Sequence, residues 1–147
     1  MRRSSVVVLV VLLFLAGGCY ATVPQERASP FLSCAEWIDS NGDGKVNPEE
    51  CSTRSYYPVY RNICFMGEID RPFGTQISWT LLAPDGTVID QGGATHFRDN
   101  RVPADIRVYR HTYAVRDLLE QAGPGLWRME WFAGNDKLGE STAKLVW

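Results

Sequence analysis

Residues 126–133 read LWRMEWFA, a stretch in which large apolar and charged side chains alternate along the chain. On an extended strand Trp127 and Trp131 fall on the same side as the methionine between them, and the arginine and glutamate fall on the other side. Turn-forming residues enclose the stretch, GPG at 123–125 and GND at 134–136. This pattern predicts an antiparallel strand with one face in a hydrophobic core, and it places both tryptophans in that core.

The same period of two recurs through the second half of the chain, with turn signals between the runs. Short strands at intervals of about 8–12 residues favour an antiparallel β-sandwich. The order of turn, strand, short helical crossover and final hairpin resembles the immunoglobulin-like sandwiches of bacterial envelope proteins, and this resemblance concerns architecture only. We expect strands within 59–69, 75–82, 87–90, 94–98, 106–115, 126–133 and 137–147, a break at the glycine pair 92–93 and a short helix at 117–122.

A different signal lies upstream, where residues 39–50 read DSNGDGKVNPEE. This stretch fits the calcium-loop pattern D-x-[DN]-x-[DN]-G-x5-E at every fixed position. Its oxygen-bearing side chains suit a hard cation, and Gly44 at the sixth position permits the sharp turn that the loop requires. The expected calcium ligands are the side chains of Asp39, Asn41, Asp43 and Glu50, the main-chain carbonyl of Lys45, and Asn47 through a water.

The loop resembles an EF-hand, which implies a short helix on each side. Helical spacing of apolar residues from 29 to 38 and a proline at position 48 agree with that expectation. Val46, at the eighth position, has no second loop with which to pair, so we expect it to pack on the sandwich. The alternative is a metal-free surface turn, but such turns rarely carry glutamate at the twelfth position.

The N-terminus has the features of a targeting segment. Two arginines precede an apolar run at 6–15 that is too short to span a bilayer comfortably. The sequence LAGGC at 15–19 resembles the lipobox of bacterial lipoproteins, which implies cleavage before Cys19 and lipidation of its thiol. Tyr20 after the cysteine implies the outer membrane rather than the inner one. An ordinary secretory signal and an uncleaved anchor are the alternatives.

These features divide the chain into four parts. Residues after the signal show no periodicity and are expected to form a tether between lipid and domain. The proposed division is a lipoprotein signal peptide at 1–18, a tether at 19–28, a single EF-hand-like calcium motif at 29–57 and a β-sandwich domain at 58–147.

Three cysteines remain once Cys19 is assigned to the lipid. Export would place them in an oxidising compartment, where one disulfide and one free thiol are expected. A Cys34–Cys51 bond would join the two arms of the calcium motif, and a Cys51–Cys64 bond is the alternative. No cysteine or histidine spacing indicates a zinc site.

Composition and motifs argue against two classes of function, nucleic-acid binding and catalysis. The net charge of −2 and the absence of a basic cluster argue against a nucleic-acid partner, and the arginines between 98 and 116 alternate with acidic residues as on a solvated face. His96 and His111 are isolated, and no nucleophile or phosphate-loop motif is present, so we expect no enzyme.

Two functions are consistent with these features. One is a calcium-binding, lipid-anchored envelope protein whose sandwich is a non-catalytic interaction or structural module. The alternative is a calcium-dependent carbohydrate- or peptidoglycan-binding module, in which tryptophans form an exposed platform for sugar rings. The expected partners are the membrane, reached through the lipid on Cys19, and an envelope protein or glycan.

Overall fold

A computed structural model of the chain describes residues 31–97 and 106–147. The predicted signal peptide, the predicted lipidation site Cys19 and the predicted tether all lie outside the described residues. Within the described parts, strands dominate and a single α-helix is present. The elements are β1 Phe31–Cys34, β2 Tyr57–Pro58, β3 Asn62–Asp70, β4 Gln76–Leu82, β5 Val88–Thr95, β6 Ile106–Ala114, α1 Val115–Ala122, β7 Gly125–Ala133 and β8 Asp136–Val146.

The strands form two sheets, in the orders β1-β3-β6 and β2-β8-β7-β4-β5. All neighbouring strands are antiparallel except β2 and β8, which are parallel. Both β1 and β2 come from residues 31–58, so this segment contributes a strand to each sheet. The mainly β, two-sheet architecture expected from the alternating runs is therefore present.

The principal core lies where the two sheets face each other. Trp127 and Trp131 on β7 are both fully buried there, together with Phe65 from β3 and Leu81 from β4. The prediction that these two tryptophans are core is confirmed. These two tryptophans therefore do not form an exposed platform for sugar rings.

Strand β3 is buried on both faces, which explains its unbroken apolar sequence. Ile63 and Phe65 belong to the core between the sheets, whereas Cys64 and Met66 point to the opposite face. On that outer face they pack in a second, smaller cluster with residues of the calcium-loop segment. The outer face of the three-stranded sheet is therefore the surface on which the loop segment rests.

The helix α1 begins two residues earlier than expected and ends where the glycine signal predicts. Gly123, with a φ of 76°, donates its N–H to the carbonyl of Leu119 at 2.8 Å and closes the last turn. Among the described residues, no helix is long and apolar enough to cross a membrane.

The break expected at residues 92–93 is wrong, because β5 continues through the glycine pair. Gly92 lies opposite Trp79 on β4, and a Cβ at Gly92 would overlap the indole ring. The glycine leaves space for the large neighbouring side chain instead of turning the chain.

The helices expected on either side of the loop are also wrong. The first is replaced by β1, which pairs with β3, and the second by a single 3₁₀ turn, Pro48–Glu50. The ring of Phe31 fills the space above Gly67 and Gly139, where a Cβ would crowd it. Pairing with β3 and this aromatic contact outweigh the weak helical periodicity of the segment.

Candidate metal centre

The two arms of the loop are extended and paired with each other. Ala35 donates its N–H to the carbonyl of Ser52 at 3.0 Å, and Ser52 donates to the carbonyl of Glu36 at 3.0 Å. Next to this ladder, the Cys34–Cys51 disulfide joins the arms, with Cα atoms 5.7 Å apart. A short β-ladder and a covalent bond thus hold the ends of the loop, where an EF-hand uses two helices.

The disulfide confirms the first of the two pairings considered from the sequence. Cys64 is the free thiol, and it lies buried in the same cluster on the outer face. Burial raises its pKa, an effect that a hydrogen bond with Thr112 partly opposes. The thiol is therefore protonated at neutral pH and acts as a small apolar group.

Inside the ladder, the loop turns as its glycines predict. Gly42 and Gly44 have φ values of 70° and 67°. In the same turn the N–H of Asp43 donates to Asn41 Oδ1 at 2.9 Å, and the N–H of Lys45 donates to Asp43 Oδ1 at 2.9 Å. These Asx-type turns direct the acidic side chains toward one point.

Three of the predicted ligands converge there. Carboxylate oxygens of Asp39, Asp43 and Glu50 all lie within 4.8 Å of one another, although they are up to eleven residues apart in sequence. The amide of Asn47 donates to Glu50 Oε2 at 3.1 Å and to Asp43 Oδ2 at 3.3 Å. The side chains predicted to surround calcium are thus in contact with one another, and the role of the Lys45 carbonyl stays a prediction.

One oxygen in this cluster has no partner. Asp39 Oδ2 accepts the N–H of Gly44 at 3.1 Å, but Oδ1 is buried and, among the described residues, has no hydrogen-bond donor. A buried carboxylate oxygen without a partner is costly, and native proteins rarely leave one. A cation bound among the three carboxylates would satisfy this oxygen, so the donor set fits a hard metal ion.

Hydrogen bonds keep two of the carboxylates charged. The pKa of Asp43 is lowered, chiefly by the N–H of Lys45. The pKa of Glu50 is lowered too, first by the hydroxyl of Ser40, which donates at 2.7 Å, and further by Asn47. Both groups are therefore ionised at neutral pH, as metal ligands must be.

The loop is fixed to the sheet through its eighth residue. The side chain of Val46 is 8% exposed and packs against the cluster that contains Cys64 and Met66. Its N–H donates to Glu68 Oε2 on β3 at 2.9 Å. The expectation that Val46 packs on the sandwich is confirmed, and β3 takes the place of a second loop.

A groove that sequence reasoning missed adjoins the loop on the same outer face. It has a volume of about 740 Å³, and the ladder residues Glu36, Trp37 and Ser52 form one of its walls. We call it the basic groove and define it by the five side chains that give it its charge and aromatic character: Trp37, Arg54, Tyr60, Arg61 and Arg110. A local signal was present in the sequence, since basic and aromatic residues are interleaved between 54 and 61.

The two histidines occupy positions inside the sandwich. His96 is 1% exposed, and its Nδ1 lies 2.9 Å from the hydroxyl of Tyr109. His111 stacks on Trp79 with ring centroids 4.0 Å apart, and the ring centroid of Trp131 lies 5.8 Å from that of His111. Both histidines pack with aromatic neighbours, as structural residues do.

No protein-family model matches the chain, and no curated protein matches it. Among solved structures, an immunoglobulin-like protein from Pseudomonas aeruginosa is similar over 68% of this chain and 86% of its own, with 15% identity and a TM-score of 0.40. The alkylpurine DNA glycosylase AlkC of Pseudomonas fluorescens, bound to DNA with an abasic-site analog, is similar over 65% of this chain and 28% of its own, with 12% identity and a TM-score of 0.43. This chain therefore matches less than a third of that enzyme's length. Neither likeness supports an inference about function.

Proposed function

We propose that the protein is a calcium-binding, lipid-anchored protein of the cell envelope, with a non-catalytic β-sandwich that serves as an interaction or structural module. The observation that carries the metal proposal is the convergence of Asp39, Asp43 and Glu50, together with the buried Asp39 Oδ1 that has no donor among the described residues.

Calcium suits the donor set better than other common metals. All the proposed ligands are oxygens, whereas protein sites for zinc are built mainly from cysteine sulfur and histidine nitrogen. A flexible twelve-residue loop with a glutamate at its end accommodates six to eight ligands, whereas magnesium requires a tight octahedron and retains its waters. We therefore expect calcium to bind and magnesium to replace it poorly.

The role proposed for calcium is that of a structural clasp. The loop covers the outer face of the three-stranded sheet through Val46, so ordering the loop also orders the small cluster beneath it. A ligand that binds only the folded state stabilises it by mass action, by about 2.7 kcal/mol at 100 times the dissociation constant. Extracellular calcium modules typically bind in the range of about 0.1–1 mM, which suits a permanently loaded site better than a sensor.

Thermal melts test the clasp. The full chain in a neutral detergent should melt at a higher temperature in millimolar calcium than in chelator, and equal magnesium should give only a small part of the shift. Equal melting temperatures in calcium and in chelator would refute the proposal.

The lipid anchor is proposed from the sequence alone. Cys19→Ser should leave the precursor uncleaved or release the protein from membranes, because no acyl chain can be attached. Mass spectrometry of the mature N-terminus is the measurement, and an unmodified first residue other than Cys19 would refute the anchor.

A further inference from the structure

The basic groove brings together three arginines from two separate segments of the chain. Arg54 and Arg61 flank β2, and Arg110 comes from β6, where it lies opposite Met66 of β3. All three are exposed, and among the residues that the structure describes none of them forms an ion pair with a carboxylate. Among the described residues that line the groove, Glu36 is the only acidic one, so the three arginines give this lining a positive net charge.

Two of the guanidinium groups are held against aromatic rings. Arg110 Cζ lies 5.6 Å from the ring centroid of Trp37, and Arg61 Cζ lies 5.5 Å from that of Tyr60. A cation–π contact of this kind restrains a guanidinium near the ring while its N–H donors remain available to a ligand. Arginines in such positions can form bidentate hydrogen bonds to a phosphate or carboxylate group.

The groove also offers exposed aromatic surface. Tyr60 is 74% exposed and Tyr56 is 56% exposed, and a smaller depression that contains both tyrosines and Arg54 adjoins the groove. Exposed aromatic rings at the edge of a polar groove are suited to stacking on the apolar faces of sugar rings. The volume of about 740 Å³ is many times that of a bare anion and is suited to a ligand of one or two sugar rings.

From this arrangement we propose that the basic groove is a binding site for a phosphate-bearing saccharide. Arg110 and Arg61 bind the phosphate, whose double negative charge at neutral pH matches a cluster of three arginines, and Tyr60 contacts the sugar ring. The proposal names a ligand for the interaction module proposed above, but it does not depend on calcium binding. The carbohydrate platform thus lies at the tyrosines beside the loop and not at the buried tryptophans.

Calorimetric titration of the full chain in neutral detergent tests this site. The probes are glucose 6-phosphate and N-acetylglucosamine 1-phosphate, with the matching neutral sugars and inorganic phosphate as comparisons. We expect at least one sugar phosphate to bind about tenfold or more tightly than its neutral sugar, since each charge-assisted hydrogen bond to the phosphate contributes about a factor of ten. It should also bind more tightly than inorganic phosphate, which has no sugar ring to contact Tyr60. No measurable binding of either sugar phosphate, or binding equal to that of inorganic phosphate, would overturn the proposal.

Three variants locate the binding. Arg110→Gln should weaken sugar phosphate binding about tenfold, while Arg116→Gln, which removes an exposed arginine on α1 outside the groove, should leave it unchanged. Tyr60→Ala should weaken binding of the sugar phosphate more than that of inorganic phosphate. Both groove residues are exposed, so the variants should fold as the parent does, which thermal melts will check.

The metal loop needs its own control, because a bound calcium ion could hold phosphate directly. Glu50→Gln is used for this purpose, since it alters the loop and leaves the arginines in place. If sugar phosphate binding is lost in Glu50→Gln and retained in Arg110→Gln, the ligand is bound at the metal and the groove proposal is wrong. Loss in Arg110→Gln, with calcium binding unchanged, would support the groove independently of the clasp.

Discussion

Reduction of the Cys34–Cys51 disulfide is expected to lower the free energy of unfolding by about 3 kcal/mol. The bond joins residues 17 apart in sequence, and it encloses all of residues 39–50, the proposed calcium loop. In the chain-entropy account, a closed loop of this length removes about 10 cal/mol/K from the unfolded chain, which corresponds to about 3 kcal/mol at room temperature. The ladder hydrogen bonds of Ala35 and Ser52 remain in the folded state, so little native structure should be lost.

Urea unfolding in oxidising buffer and in excess phosphine reductant measures the contribution of the disulfide. Because the same sequence is used in both buffers, no cysteine is replaced and no cavity is created. Chelator is present throughout, so that calcium does not contribute. We expect a lower midpoint and a larger slope in reductant, because the reduced chain exposes more surface when it unfolds. Cys64→Ala keeps the disulfide and excludes thiol exchange, so it should show the same difference. Equal midpoints in the two buffers would refute the reasoning.

Two further predictions concern the core. Trp131→Ala should lower the free energy of unfolding by about 3–5 kcal/mol, whereas Trp147→Ala, at a ring that is 64% exposed, should cost less than about 0.5 kcal/mol in the same urea titration. Burial lowers the pKa of His111, although the charge of Asp90 opposes this. The unfolded chain therefore binds a proton near pH 6.5 that the folded protein does not, and stability should fall as the pH drops below about 6.5. His111→Phe should reduce this decrease in melts recorded between about pH 7.5 and 5.5, and an unchanged pH dependence would count against it.

The strands after residue 60 could be predicted well because their pattern is simple. Most of them have one face in the core between the sheets, so apolar and polar residues alternate, and glycine or proline marks most of the turns. Strand β3 is the exception, since it is buried on both faces. The glycine pair at 92–93 misled the prediction, since the reason for Gly92 lies on another strand, in the ring of Trp79. Contacts between distant segments leave no local signal.

In the loop segment, too, only those features that depend on neighbouring residues could be predicted from the sequence. The spacing of Asp39, Asp43 and Glu50 was readable because loop ligands are local in sequence. The extended form of the two segments that flank the loop could not be predicted from the sequence. It depends on pairing with β3 and on the ring of Phe31, which lies above two glycines from other strands. The basic groove was missed although basic and aromatic residues are interleaved between 54 and 61, because Arg110 and Trp37 join them only in the folded protein.

The calcium site is tested most directly by calorimetric titration of calcium into the full chain, beside Glu50→Gln and the neighbouring control Glu49→Gln. Glu49 is exposed and lies outside the cluster of three carboxylates, so its replacement removes the same charge without removing a ligand. The proposed clasp predicts one calcium per chain in the parent and in Glu49→Gln, and binding weakened at least tenfold in Glu50→Gln, since the bidentate ligand is lost. No heat of binding at millimolar calcium, or equal affinity in the two glutamine variants, would contradict it.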